Sequence, residues 1–290
     1  RVSQAYLFAG PRGTGKTTTA RLLAKAVNCL AENPAERPCN LCGNCAAVNQ
    51  GRFLDLIEID AASNTSVDDV RELRDTINFA PSQGKFKVYI IDEVHMLSTS
   101  AFNALLKTLE EPPSHVIFIL ATTEIHKIPA TVLSRCQRHE FRRIPLNQIV
   151  EKLRIICEQE KIQIDEDALS LIARQSTGSM RDAISLVDQL ASLEGRVTLA
   201  EAQDILGTAT SQAVIDLVQA VQAKDSAGGL NQIHSALDGG ADPRQFARQV
   251  VDYLRSLLVV KLNGGKDLEL LPEVRSAVNK QAAAFNAAEL

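Results

Sequence analysis

The sequence predicts an α/β fold followed by helical domains, and three observations carry that expectation. Short apolar runs of strand length occur at Ala5-Tyr-Leu-Phe-Ala9, within residues 87–97 and at His115-Val-Ile-Phe-Ile-Leu-Ala121. The first run enters a glycine-rich loop and then a helical pattern, the order of a strand-loop-helix unit. From Pro145 the alternation stops and apolar positions recur every three or four residues. Aromatics are only 4% and tryptophan is absent, which favours helices packed on aliphatic faces over an aromatic-rich β-sandwich. At 290 residues, 45% hydrophobic and 23% charged, the chain is long enough for two or three domains.

Composition also bounds the setting. No stretch approaches the roughly 20 apolar residues that span a bilayer, and no charged-then-apolar leader precedes the first motif, so a soluble cytoplasmic protein is expected. The chain opens on Arg1 and reaches a strand almost at once, as an excised piece lacking its natural start would. A net charge of −4 excludes a strongly basic nucleic-acid-binding domain, so any DNA contact must come from a local patch.

The first strand leads into Gly10-Pro11-Arg12-Gly13-Thr14-Gly15-Lys16-Thr17, which fits G-x-x-x-x-G-K-[ST]. The glycines let the backbone curl so that successive N–H groups face phosphate oxygens, and the following helix adds its positive N-terminal end. Lys16 is expected to reach the β- and γ-phosphates of ATP and the Thr17 hydroxyl to ligate Mg²⁺, with Thr18 completing the binding residues. Residues 18–27 read as an amphipathic helix with Leu22, Leu23 and Ala26 inward.

Four of the six cysteines then fall within seventeen positions, as Cys29-x₉-Cys39-x₂-Cys42-x₂-Cys45, around Pro34, Pro38 and Gly43. Clustered thiolates in a reducing compartment select Zn²⁺ in a closed tetrahedron, which leaves no position for water and makes the site structural. A zinc ribbon can bind nucleic acid, but only Arg37 and Arg52 stand nearby.

The second apolar run, Lys87-Val-Tyr-Ile-Ile-Asp-Glu-Val-His-Met-Leu97, ends in Asp92 and Glu93. At a strand end facing a nucleotide crevice, Asp92 can hold the water shell of Mg²⁺ and Glu93 can polarise the attacking water. The third run ends in Thr122 and Thr123, either of which can sense the γ-phosphate or position the water. Ser134-Arg135-Cys136 follows, and later Gly178-Ser179-Met180-Arg181-Asp182 opens a helix.

This ordered set resembles the AAA+ ATPases of the clamp-loader branch. With the four-cysteine insert it is similar to the gamma/tau family of bacterial DNA polymerase III clamp loaders, through nearly all of residues 1–207 and more weakly beyond. Arg21-Leu-Leu-Ala-Lys-Ala, Lys107-Thr-Leu-Glu-Glu-Pro-Pro and Leu133-Ser-Arg-Cys-Gln carry the resemblance as strongly as the phosphate loop. The resemblance implies Thr123 in preference to Thr122 as sensor 1, Arg181 as sensor 2, and Arg135 as an arginine finger completing a neighbouring subunit's ATP site. It implies an AAA+ domain over 1–143 with a zinc module at 29–45, a helical lid over 144–207 and a helical collar over 208–290. Implied partners are the delta and delta-prime subunits, further gamma/tau copies, the sliding clamp and, through the assembled complex, primer-template DNA. The family's segment packing around the adenine, and its tail reaching polymerase and helicase, are expected outside this chain.

In the helical part, residues 147–160, 165–175, 179–192 and 198–206 carry helical periodicity, with Asp165 and Thr198 as N-caps. Further helices are expected to be joined at Gly228-Gly229, Gly239-Gly240 and Gly264-Gly265, with a frayed last fifteen residues. The expected activity is ATP hydrolysis to ADP and phosphate that drives clamp loading during replication, as part of a DNA-directed DNA polymerase holoenzyme without a polymerase site of its own. A non-hydrolysing scaffold like delta-prime is the alternative, against which Lys16, Thr17, Asp92 and Glu93 speak. A zinc-dependent nucleic-acid module is a third reading, disfavoured by the acidic charge.

Overall fold

A computed structural model describes residues 2–63, 77–192, 195–206, 211–265 and 272–286. The expected lid–collar boundary at Gly207 and the last four of the fifteen terminal residues lie outside them. The chain divides into two compact units, residues 1–149 with 173–184, and residues 150–172 with 185–290.

The first unit is built on a five-stranded parallel sheet ordered β2-β3-β4-β1-β5. Its strands are β1 Ala5–Ala9, β2 Leu56–Asp60, β3 Lys87–Asp92, β4 Val116–Thr122 and β5 Gln137–Glu140. Because β1, β3 and β4 lie in the interior of the sheet and are covered on both faces, they read as unbroken apolar runs. Alternate residues divide between two layers. Leu7, Tyr89, Ile91, Phe118 and Leu120 pack with Ala101, Phe102, Leu105 and Leu109 of the helix Thr99–Glu110. Tyr6, Phe8, Val88, Ile90, Ile117 and Ile119 pack on the other face with Ala20 and Ala24 of α1, Lys16–Val27.

The inward face of α1 differs from expectation. Leu22 is exposed, while Ala20 and Ala24 are buried and Leu23 and Val27 are partly buried. Two alanines let the helix lie close on the sheet, and Leu22 instead lines, with Phe53 and Leu56, a cavity of about 570 Å³. The edge strand β5, Gln-Arg-His-Glu, is exposed throughout and carries no apolar pattern.

In the second unit, Thr198 caps the helix Leu199–Ile205 in a reciprocal box with Glu201, as expected. Asp165 precedes the helix Glu166–Gln175, but its carboxylate takes the Arg196 guanidinium at 2.6 Å. Val214, Leu217, Val218, Phe246, Tyr253, Leu257 and Val278 form the core of the helices that follow. Gly239-Gly240 and Gly264-Gly265 fall at helix ends. Gly228-Gly229 does not join helices: it lies in the first turn of Ser226–Asp238, where the Asp225 carboxylate caps the Gly228 N–H at 2.9 Å. A Cβ at Gly229 would make only ordinary contacts, 3.7 Å to Leu217 Cδ1 and 3.9 Å to Ala220 Cβ of the neighbouring helix Ser211–Gln222. Among the described residues, no helix is long and apolar enough to cross a membrane.

Candidate functional site

The phosphate loop is fixed at both ends by backbone contacts. Gly10 N–H donates to the Thr122 carbonyl at 3.1 Å, and a Cβ at Gly10 would stand 2.1 Å from the Phe141 carbonyl oxygen, so only glycine fits. The Gly13 carbonyl accepts the Met180 N–H at 3.0 Å, which ties the loop to the first turn of the helix Met180–Leu190 and places Arg181 beside it. Gly15, in the left-handed region at φ 92°, turns the chain into α1, whose first N–H groups are thereby presented at the loop. Arg12 and Thr18 are exposed on the rim, and the Thr14 hydroxyl donates to the Pro11 carbonyl at 2.8 Å.

Lys16 is buried, and its Nζ donates to the Gly10 and Pro11 carbonyls at 2.9 and 2.8 Å. Burial lowers its pKa, against the opposing pull of Glu93 and Asp92. The Thr17 hydroxyl donates to Asp92 Oδ2 at 2.7 Å, which brings the two expected Mg²⁺ oxygens together. Hard oxygen donors of this kind fit Mg²⁺. Glu93 follows with φ 45°, a strained conformation for a residue with a side chain, and its Oε2 accepts the Thr123 N–H at 3.2 Å and hydroxyl at 2.8 Å. Thr122 is fully buried, and its Oγ1 stands 3.0 Å from His95 Nδ1 and not on Glu93 directly. Lys16, Thr17, Asp92, Glu93, Thr123 and the Arg181 turn are therefore gathered around one loop. Arg135 stands apart, held by Glu110 at 2.7 Å and by the Thr131 carbonyl. Sequence reasoning missed His95, although it sits in the Asp-Glu-Val-His run it had singled out.

Cys29, Cys39, Cys42 and Cys45 converge with all four sulfurs within 4.8 Å of one another. Cys29 Sγ lies 3.9 Å from Cys42 Sγ, and Cys39 Sγ 4.0 Å from Cys45 Sγ. A tetrahedral zinc with bonds of about 2.3 Å has sulfur–sulfur edges of about 3.8 Å, so the cluster could hold that ion. Backbone N–H groups of Cys39, Cys42 and Cys45 face neighbouring sulfurs at 3.3–3.5 Å, as thiolates require. A further N–H, from Leu30, helps bring Cys42 down to about 6, whereas burial pushes Cys45 up to about 12. The helix α2, Gly43–Asn49, begins inside the module, and Lys25 of α1 is locked to it by Asn40 and Asn49 at 2.7 and 2.8 Å.

Three family models match the chain: "DNA polymerase III, delta subunit" over residues 1–145, "DNA polymerase III clamp loader subunit, ATPase lid domain" over 148–193, and "DNA polymerase III subunits gamma and tau domain III" over 197–290. The chain is 48% identical over 266 residues to DNA polymerase III subunit tau of Bacillus subtilis, covering 91% of this chain and 47% of that one. It is 46% identical to subunit tau of Escherichia coli over 91% of this chain and 41% of that one. It is 43% identical to subunit gamma/tau of Mycobacterium tuberculosis over 90% and 46%. The chain thus spans under half the length of these relatives. Among solved structures, the Thermotoga maritima RuvB Holliday junction branch migration motor shares the fold, with a TM-score of 0.50 at 17% identity over 87% of this chain and 80% of that one. The first family description names delta, whereas the third-domain description and the relatives name gamma and tau. The chain belongs to the gamma and tau family of DNA polymerase III clamp-loader subunits.

Proposed function

We propose that this chain is the ATP-hydrolysing part of a clamp-loader subunit, coupling ATP turnover to loading of a sliding clamp on primed DNA in bacterial replication. The observation that carries the reading is the Thr17–Asp92 bond beside Glu93–Thr123 and the Gly13–Met180 link, which joins loop, acids and lid helix in one place. In this reading Gly10, Pro11, Arg12, Gly13, Thr14, Gly15 and Thr18 frame the phosphates and the Lys16 ammonium binds them. Thr17 and Asp92 hold Mg²⁺, which when bound neutralises charge on the phosphate oxygens. Glu93 takes the proton of the attacking water, Thr123 orients Glu93, and Arg181 reports the γ-phosphate to the lid.

Arg135 acts on a neighbouring subunit's site, where a guanidinium stabilises charge on the transferring phosphoryl group. The proposed division is an AAA+ domain at 1–143, a lid at 144–207 and a collar at 208–290; the matched spans 1–145, 148–193 and 197–290 follow the same order, the third beginning earlier than the proposed collar. The four cysteines bind a structural zinc. The partners are delta, delta-prime, further gamma/tau copies, the clamp and primer-template DNA through the complex, in the cytoplasm; polymerase and helicase are reached through residues outside this chain.

The test is ATP turnover of the full-length protein assembled with its partner subunits. Lys16→Ala is expected to lose nucleotide binding, whereas Arg135→Ala still binds but turns over about 10³-fold or more slowly. Normal hydrolysis by both variants would sink the assignment.

A further inference from the structure

The left-handed turn at Glu93 starts a single 3₁₀ turn, Val94–Met96, that folds the His95 ring back under the strand ends. The ring is almost wholly buried, with a side-chain exposure of 6%. Its Nδ1 faces two oxygens, Thr122 Oγ1 at 3.0 Å and Glu93 Oε2 at 3.2 Å. Thr122 Oγ1 already accepts the Glu124 N–H at 3.0 Å, and a carboxylate has no proton to give. The Thr122 hydroxyl can give or take a hydrogen, but the carboxylate can only accept, so the approach of Nδ1 to Glu93 Oε2 is favourable when Nδ1 carries the hydrogen.

On the other side, Nε2 looks toward Glu124 Oε1 at 3.5 Å, and Glu124 is in turn paired with Lys127 at 2.8 Å. Glu93 Oε2 accepts two hydrogen bonds, from the Thr123 N–H and the Thr123 hydroxyl, and His95 Nδ1 stands 3.2 Å from the same oxygen. Oε1 is then the oxygen that can meet a water.

We propose that His95 is a positioning residue for ATP hydrolysis, which fixes the Glu93 carboxylate by donating from Nδ1 to Oε2 so that Oε1 presents a lone pair to the attacking water. The inference rests on the reading of Glu93 as the base. His95 touches no phosphate; it acts through Glu93. A general base displaced by about 1 Å loses up to about 100-fold in rate, and a Glu93 carboxylate without its His95 contact is free to make such an excursion. The cost therefore falls on turnover and spares nucleotide affinity.

Full-length protein in its assembled complex provides the test, with His95→Phe (ring volume, no donor), His95→Asn (a donor at the Nδ1 position) and His95→Gln (a donor near Nε2). His95→Phe is expected to lower kcat about 10- to 100-fold, with KM and nucleotide Kd within about threefold of wild type. His95→Asn recovers much of the loss and His95→Gln does not, so that if His95→Phe fails to fold, the Asn–Gln contrast still decides.

In single-turnover measurements, His95→Phe adds nothing to Glu93→Gln, because two residues acting through one step are not additive. Near-normal hydrolysis by Glu93→Gln would overturn the assignment of the base itself. If Glu93→Gln is inactive but His95→Phe turns over like wild type, only the His95 proposal falls. Equal loss in Asn, Gln and Phe together with weakened nucleotide binding makes His95 a packing residue and overturns it as well.

Discussion

Gly13→Ala tests whether the phosphate loop and the lid helix are joined as described. Gly13 has φ 73°, and a Cβ there would stand 1.9 Å from Ser179 Oγ and 3.3 Å from Arg181 Cβ. The left-handed backbone costs an alanine about 1–2 kcal/mol. Relieving the overlap means moving Ser179, which also caps the Asp182 N–H at 3.2 Å, or the whole first helical turn, at about 1–3 kcal/mol. Loss of unfolded-state freedom returns about 0.7 kcal/mol. The net is about 1–4 kcal/mol.

Ser179→Gly alone should cost only a few tenths of a kcal/mol, since glycine is tolerated at an N-cap. In that background Gly13→Ala keeps only its strain, about 1 kcal/mol. Hydrogen exchange of β1 and β4 peptides across a urea series in the full-length protein reads the stability of the first unit. A coupling of at least about 1 kcal/mol between the two substitutions is expected. Additivity within about 0.5 kcal/mol would refute the contact as the source of the loss.

Two further outcomes follow from buried groups. Asp55, fully buried, accepts the N–H groups of Ser82, Gln83 and Gly84 at 2.7 Å each. Burial works against its ionisation, but these donors and Lys87 prevail and hold its pKa below 3.8. With a folded value below the unfolded one, its contribution is complete above pH 3.8 and fades as the pH falls through the folded pKa. Asp55→Asn should cost about 1.5–3 kcal/mol at pH 7, and the gap to wild type should narrow in unfolding curves below pH 3.8. Metal analysis under reducing conditions should give about one zinc per chain, and chelation should lower the melting temperature; a metal-free protein of unchanged stability would defeat the cysteine reading.

What the sequence disclosed depended on how a residue is buried. Strands β1, β3 and β4 were legible because both of their faces are covered, whereas β5 pairs with β1 through its backbone and the His139 ring against Tyr6 and Phe8, and shows only exposed Gln, Arg, His and Glu. Helix existence was legible in the lid from periodicity, but the inward face of α1 was not, since Ala20 and Ala24 do the packing that leucines were expected to do. Gly228-Gly229 reads as a linker from sequence, but the pair lies in the first turn of a helix capped by Asp225.

Of the candidate site, the loop and the acids could be read because their chemistry demands fixed residue types in order. Thr122 and Thr123 could not be separated by spacing alone: one hydroxyl meets His95 and the other Glu93, two side chains that themselves approach to 3.2 Å. The partner of Arg135 was equally hidden, because Glu110 lies 25 residues earlier on another element.

That last pairing bears on whether Arg135 can serve another subunit at all. In the structure its guanidinium is engaged with its own chain, and a finger must leave Glu110 to reach a neighbour's phosphate. The magnitudes decide the matter. The Arg135 and Glu110 side chains are 32% and 51% exposed, and a pair so wetted is worth at most about 1 kcal/mol. A finger that raises hydrolysis about 10³- to 10⁵-fold contributes about 4–7 kcal/mol in the transition state.

Lys16 follows the same logic from a buried position. Its two carbonyl bonds keep a desolvated ammonium satisfied, and in its proposed role phosphate oxygens would replace those dipoles with full charges, an exchange favoured where burial has already removed competing water. Both cations are thus held by acceptors weaker than the ones proposed for them. The intramolecular bonds orient the side chains without competing seriously with the nucleotide.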